Sequence, residues 1–274
     1  MRKNSQSPIL HIRVMKRCLI ILVAALVLVV IVILASCRSP AQEDNGPDRA
    51  AIVDQLYLRE ANPVIIAGIT QILESYGFEV DLWQGAQITV DFYRELPRRG
   101  YKLIVFRVHS GLLLSLEGEE VKPLEGTYLF TAENYTTTKY VSEQLADKVT
   151  NAMMAEDFPL IFAVNSKFIR DTKGDFNNTV IIAMGCESYY FDDLPTIFIE
   201  KGASAYIGWN TIVSLEYVDA AMLNLLNNLC TGNMTLTRGI ESTMDELGYD
   251  PYFNAYLKLY PPESGSKTIS ELIE

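Results

Sequence analysis

Two strand ends in this 274-residue chain carry side chains suited to nucleophilic chemistry. Tyr101–Val108 reads as an apolar strand that runs into His109, Ser110 and Gly111, and Asn178–Met184 reads as a buried strand that runs into Gly185, Cys186, Glu187 and Ser188. A thiolate attacks a carbonyl carbon, and a neighbouring imidazole takes up the thiol proton and returns it to the leaving amine. Counting narrows the choice. Of 2 histidines and 4 cysteines, His11 lies in a basic flank, Cys18 within an apolar run and Cys37 at its end. Cys230 falls on an apolar helix face, where a small thiol is ordinary core material. Any Cys–His pair therefore uses His109, with Cys186 as nucleophile.

The neighbours of this pair suggest further roles. Backbone N–H groups at Gly111 and at Gly185-Cys186 are candidates for holding an oxyanion. Glu187 is open to two readings: an acidic wall for a basic substrate side chain, or a charge that raises the thiol pKa. Trp209 reads as a pocket wall or as core. A His or Cys after a strand is, taken singly, more often structural than catalytic, and a Cys186–Cys230 disulfide is the alternative use of two thiols in an oxidising compartment. One histidine and two separated cysteines do not give zinc-ligand spacing, and neither a Walker A loop nor G-x-G-x-x-G is present, so no metal and no cofactor is expected. Asp54 and the pair Asp192-Asp193 read as loop or cap residues rather than cation ligands.

The elements that must position these residues alternate. Ala50–Tyr57 is a strand candidate; Asn62-Pro63 opens a helix to Tyr76 that Gly77 stops; Phe78–Trp83 is a strand; Thr89 caps a helix through Leu96; then comes the strand before His109. Segment 112–137 is irregular and reads as a hairpin or loop beside the sheet. Beyond it the pattern predicts a helix over Tyr140–Met154, an extended run Leu160–Phe168, the strand before Cys186, a helix Leu194–Lys201 and a strand Ala205–Trp209. Helices Val218–Cys230 and Leu236–Leu247 and an extended piece Ala255–Leu259 close the chain. Alternation with near-continuous apolar strands predicts an α/β fold with a mostly parallel sheet covered on both faces.

The N-terminus is a different device. Residues 1–17 carry Arg2, Lys3, Arg13, Lys16 and Arg17, and no acid precedes Glu43. Residues 18–37 form an apolar run long enough to cross most of a bilayer core, so they read as a transmembrane signal anchor. The alternative is a lipoprotein signal, since Leu34-Ala35-Ser36-Cys37 resembles a lipobox with Cys37 as the lipidated residue. Either places the chain at the cell membrane with its C-terminal domain extracytoplasmic. Residues 38–48 read as a tether, and 49–274 as the α/β domain.

A strand ending in His-Ser-Gly, a later strand ending in Gly-Cys, and then Lys201-Gly-Ala-Ser-Ala-Tyr-Ile-Gly-Trp209 together resemble the caspase-haemoglobinase group, which includes caspases, legumain, clostripain and CHAT domains. The resemblance spans residues 49–213. It implies a three-layer αβα sandwich and a cysteine endopeptidase dyad of Cys186 and His109; its alternative is a non-catalytic caspase-like domain that holds a peptide or protein without cutting it. The chain departs from the group's pattern in that Ser110 separates His from Gly and Glu187 follows Cys. Composition fits a packed domain: 49% of residues are hydrophobic, and 34 acidic against 23 basic residues give a net charge of −11. That balance argues against nucleic acid as a partner, because displacing phosphate counterions needs clustered cations. The expected partners are a peptide or protein substrate and, through the N-terminus, the membrane.

Overall fold

The computed structural model describes residues 46–117, 120–154 and 158–274. The basic flank, the apolar run with Cys37 and nearly all of the tether lie outside the described residues. Among the described residues no helix is long and apolar enough to cross a membrane. The elements below all belong to one unit, Pro47–Glu274.

In chain order the strands are β1 (Arg49–Asp54), β2 (Glu79–Gln84), β3 (Leu103–Arg107), β4 (Ser110–Glu117), β5 (Glu120–Asn134), β6 (Val149–Ala152), β7 (Ile161–Asn165), β8 (Thr179–Ala183), β9 (Ala203–Trp209) and β10 (Leu257–Tyr260). The α-helices are α1 (Pro63–Tyr76), α2 (Val90–Glu95), α3 (Val141–Leu145), α4 (Ser166–Asp171), α5 (Asp193–Glu200), α6 (Leu215–Leu226), α7 (Leu236–Leu247) and α8 (Ile269–Ile273). A six-stranded sheet has the order β10-β9-β8-β3-β1-β2, all parallel except β10. Every residue of β3 and β8 is buried, which explains why both are apolar apart from Arg107 and Thr179.

One face of this sheet packs against helices alone. Ile66, Ile69 and Leu73 of α1, Met222 and Leu225 of α6, and Leu236 of α7 meet Ile52, Val105, Ile182 and Ile207. The other face meets α2, α4 and α5 together with a second sheet, four-stranded and antiparallel in the order β4-β5-β7-β6. The fold is thus α/β with a mixed, mostly parallel main sheet.

Local signals set several boundaries. Asn62 caps α1 by accepting the Ile65 N–H at 3.3 Å, Pro63 occupies the first turn, and Gly77 ends the helix at φ 115°. Thr89 caps α2 through the Phe92 N–H at 3.0 Å.

The second sheet changes the reading of the middle of the chain. Segment 112–137 is mostly the β4–β5 hairpin, and helix over Tyr140–Met154 is confined to Val141–Leu145. Asp147 takes a positive φ of 52°, ending the helical turn, and Val149 then pairs with Val164 of β7. The extended run Leu160–Phe168 stops at Asn165, whose side chain accepts the Phe168 N–H and caps α4. Its strand joins the second sheet rather than the main one.

Candidate functional site

The main chain brings the two strand ends together. Phe106 of β3 pairs with Ala183 of β8, and His109 and Cys186 each lie three residues beyond that pair. They leave neighbouring parallel strands at the carboxyl edge of the sheet, where ligands collect in open α/β folds. Gly185 makes the approach possible: a Cβ there would lie 2.1 Å from Ser110 Oγ and 2.6 Å from the Val108 carbonyl oxygen. Ser110 then donates its hydroxyl to the Cys186 carbonyl at 2.5 Å. The serine between His109 and Gly111 therefore has a structural task, tying one strand exit to the other. Ser188 closes the same turn, donating to Ala183 O at 2.8 Å and accepting the Trp209 N–H at 2.9 Å.

His109 is held by its backbone. Its N–H donates to Gln55 Oε1 at 3.0 Å and its carbonyl accepts the Phe130 N–H at 3.0 Å. The half-buried ring lies 6.2 Å from the Phe130 ring and lines a cavity of about 100 Å³ with Gln55, Arg59, Asn134, Met154 and Ile161. Burial, and then the charges of Arg107 and Arg59, hold the imidazole below its ordinary pKa. It is neutral at pH 7, the form that accepts a proton.

Arg107, two residues upstream, is fully buried. Its guanidinium donates to Asp219 at 2.7 and 2.9 Å, to Asp54 at 2.8 Å and to the Glu60 carbonyl at 3.0 Å. Asp219 also accepts the Asn62 side-chain amide at 2.9 Å. The network joins the ends of β1 and β3 to α6 and to the start of α1. Burial raises the Asp54 pKa, against the opposing bond and charge of Arg107.

Cys186 is half-buried and packs against the helical face of the sheet. Its Sγ donates to the Val213 carbonyl at 3.5 Å. Burial pushes the thiol pKa up, the charges of Glu187 and Asp250 add to this, and backbone hydrogen bonds from Val213 and from Cys186 itself oppose it. Cys186 is outside the set of residues lining the His109 cavity, and no hydrogen bond joins the two side chains. The backbones of the pair are adjacent, and in its resting form the neutral imidazole faces the second sheet while the neutral thiol faces the helical side of the main sheet.

The remaining candidates fall around this edge. Glu187 takes the left-handed backbone at φ 56°; its N–H donates to the Thr211 carbonyl at 2.9 Å, and its carboxylate accepts the Leu112 N–H. Burial raises its pKa. Gly111 sits in β4 opposite Tyr128, and a Cβ there would lie 3.8 Å from the Glu187 carboxylate. Trp209 is fully buried in β9, its ring 5.7 Å from Tyr217 and its Nε1 without a hydrogen-bond partner among the described residues. Cys186 and Cys230 are both free thiols, and burial pushes the latter up to about 12. Asp193 accepts the Thr127 N–H at 3.2 Å, and no group of three His, Cys, Asp or Glu suited to a metal occurs among the described residues.

Sequence reasoning missed Gln55, Arg107 with Asp219, and Asp250. Arg107 carried a signal, since a charge in the run Leu103-Ile-Val-Phe-Arg107-Val108 must find partners once the strand is buried. Gln55 carried none, because its role depends on distant main-chain groups; Asp250 carried a local one, an Asp before Pro251 whose side chain accepts the Tyr252 and Phe253 N–H groups. Compared with models of known protein families and with curated proteins, the chain matches none.

Proposed function

We propose that this domain belongs to the class of caspase-like cysteine hydrolases, tethered to a membrane by the segment before residue 38 and facing the extracytoplasmic side. Its particular activity, on this reading, is endopeptidase cleavage with Cys186 as nucleophile and His109 as acid/base. The observation that carries the reading is the delivery of His109 and Cys186 to one sheet edge by adjacent strands whose exits are in contact at Gly185 and Ser110.

The chemistry follows from the protonation states. A neutral imidazole takes the Cys186 proton as sulfur attacks the scissile carbonyl, and the imidazolium then gives that proton to the leaving amine. Water hydrolyses the acyl-enzyme with the same residue as base. In the resting side-chain arrangement Sγ is committed to Val213, so substrate binding has to turn the thiol and the ring toward each other. Glu187 beside the thiol favours a cationic side chain at the cleavage point.

That bond and the raised thiol pKa favour a second reading, a caspase-like domain that binds peptide without cutting it. Labelling of the full chain in detergent with a panel of peptidyl acyloxymethyl ketones separates the two. Covalent adducts on Cys186 that disappear in His109→Ala support the peptidase; peptide binding with no adduct on any panel member supports the binding domain.

A further inference from the structure

The point where β3 leaves the main sheet is a place where backbone groups lose their partners. Val108 and His109 lie between the last residue of β3, Arg107, and the first of β4, Ser110, so the His109 N–H belongs to neither strand. A buried main-chain donor without a partner is destabilising, so a side chain has to meet it. Gln55 does so from the end of β1, with 4% of its surface exposed. Its Oε1 accepts the His109 N–H at 3.0 Å, while its Nε2 donates to the Thr131 carbonyl at 3.1 Å and contacts Met154 Sδ at 3.7 Å. One amide thus joins the exit of β1, the exit of β3 and strand β5 of the second sheet. Only Gln or Asn offers a donor and an acceptor in this form, and only Gln has this reach.

We propose that Gln55 is the positioning residue for His109, fixing where the imidazole emerges by clamping its main chain between the two sheets. The proposal rests on the reading of His109 as the acid/base. Three features make the clamp more than a generic filled hydrogen bond. It acts on the residue that carries the ring; the same Gln55 side chain and the ring line one cavity; and the ring, having no hydrogen bond of its own among the described residues, takes its orientation from the backbone and from contact with Phe130. The charges facing the ring are those of Arg107 and Arg59, with Arg107 matched by Asp54 and Asp219.

The test uses the full chain in detergent with His11→Gln, which leaves His109 as the one imidazole for NMR titration. Gln55→Met removes both hydrogen bonds at similar volume. Gln55→Glu keeps the acceptor for His109 and places a carboxylate beside it. With Gln55→Met the His109 pKa moves toward the ordinary value of about 6.5. The His109-dependent part of Cys186 alkylation by a peptidyl acyloxymethyl ketone falls about tenfold, as expected when a reacting group is misplaced by an ångström or less. With Gln55→Glu the His109 pKa rises by about one unit or more, as a carboxylate within reach of an imidazole requires. If Gln55→Met fails to fold, the Gln55→Glu titration decides alone. Titrations that match the parent in every folded variant overturn the proposal. A Cys186 alkylation rate indifferent to His109→Ala would instead overturn the dyad, and the titrations would still read the clamp.

Discussion

Replacing Gly185 by Ala tests the contact on which the site depends. The added methyl would lie 2.1 Å from Ser110 Oγ, 2.6 Å from Val108 O and 2.9 Å from Ser110 Cβ. Turning the serine side chain relieves the first contact. It cannot relieve the second, because the Val108 carbonyl belongs to the main chain of a residue only 2% exposed. Gly185 is not among the positive-φ glycines, so the cost comes from the clash and not from backbone strain. Overpacking of this kind costs about 1–3 kcal/mol, and losing the bond from Ser110 to the Cys186 carbonyl adds about 1 kcal/mol. A loss of about 2–4 kcal/mol lowers Tm by roughly 5–15 °C in a domain of this size. Thermal and urea unfolding followed by circular dichroism give the number. Gly68→Ala is the control: its methyl meets only the side chain of Leu223, at 3.0 Å, and the helix gains about 1 kcal/mol of propensity. A Gly185→Ala protein within 0.5 kcal/mol of the parent would show that the two strand exits do not touch as described.

Three further outcomes follow from the same geometry. Arg107→Met strands Asp54 and Asp219 in the interior and costs about 3–5 kcal/mol; adding Asp54→Asn and Asp219→Asn recovers at least half of this in denaturant titrations, and a single variant as stable as the parent would contradict the network. Burial would raise the Asp250 carboxyl, but hydrogen bonds from Ser214, Phe253 and Tyr252 hold it below 3.8, its ordinary value. Its stabilisation is therefore complete above that pH and lost as pH falls through the lower folded value, so Asp250→Asn flattens the acid limb of a stability profile, and an unchanged limb would contradict the assignment. Glu187→Gly relieves a left-handed backbone and removes a charge that raises the Cys186 pKa, so thiol alkylation at pH 7 rises about threefold or more; an unchanged or lower rate would count against that role.

How much of this was legible depends on the range of the interactions. The caps Asn62 and Thr89 and the stop at Gly77 act within a turn, and helices α1, α2 and α7 fall where periodicity and those signals put them. The nearly apolar runs before His109 and Cys186 marked central strands, because strands covered on both faces carry few polar residues. The second sheet was hidden. Its strand β6 is four residues long, and β7 looks the same in sequence whether it pairs in one sheet or the other. At the site, the shared edge of His109 and Cys186 was readable from the strand ends. The uses of Ser110 and Gln55 were not, since each answers to backbone groups more than 50 residues away in sequence.

The most direct measurement is the pH dependence of Cys186 alkylation by the substrate-like peptidyl acyloxymethyl ketones in the full chain, with and without His109→Ala. With the imidazole held low and the thiol held high, the account predicts His109-assisted reaction across neutral pH, faster than the free thiolate fraction allows. In His109→Ala that neutral-pH reactivity is lost, and alkylation rises only above the ordinary thiol range of about 8.5. Superimposable profiles for the two proteins would contradict the dyad and leave the strand-end edge as a binding surface.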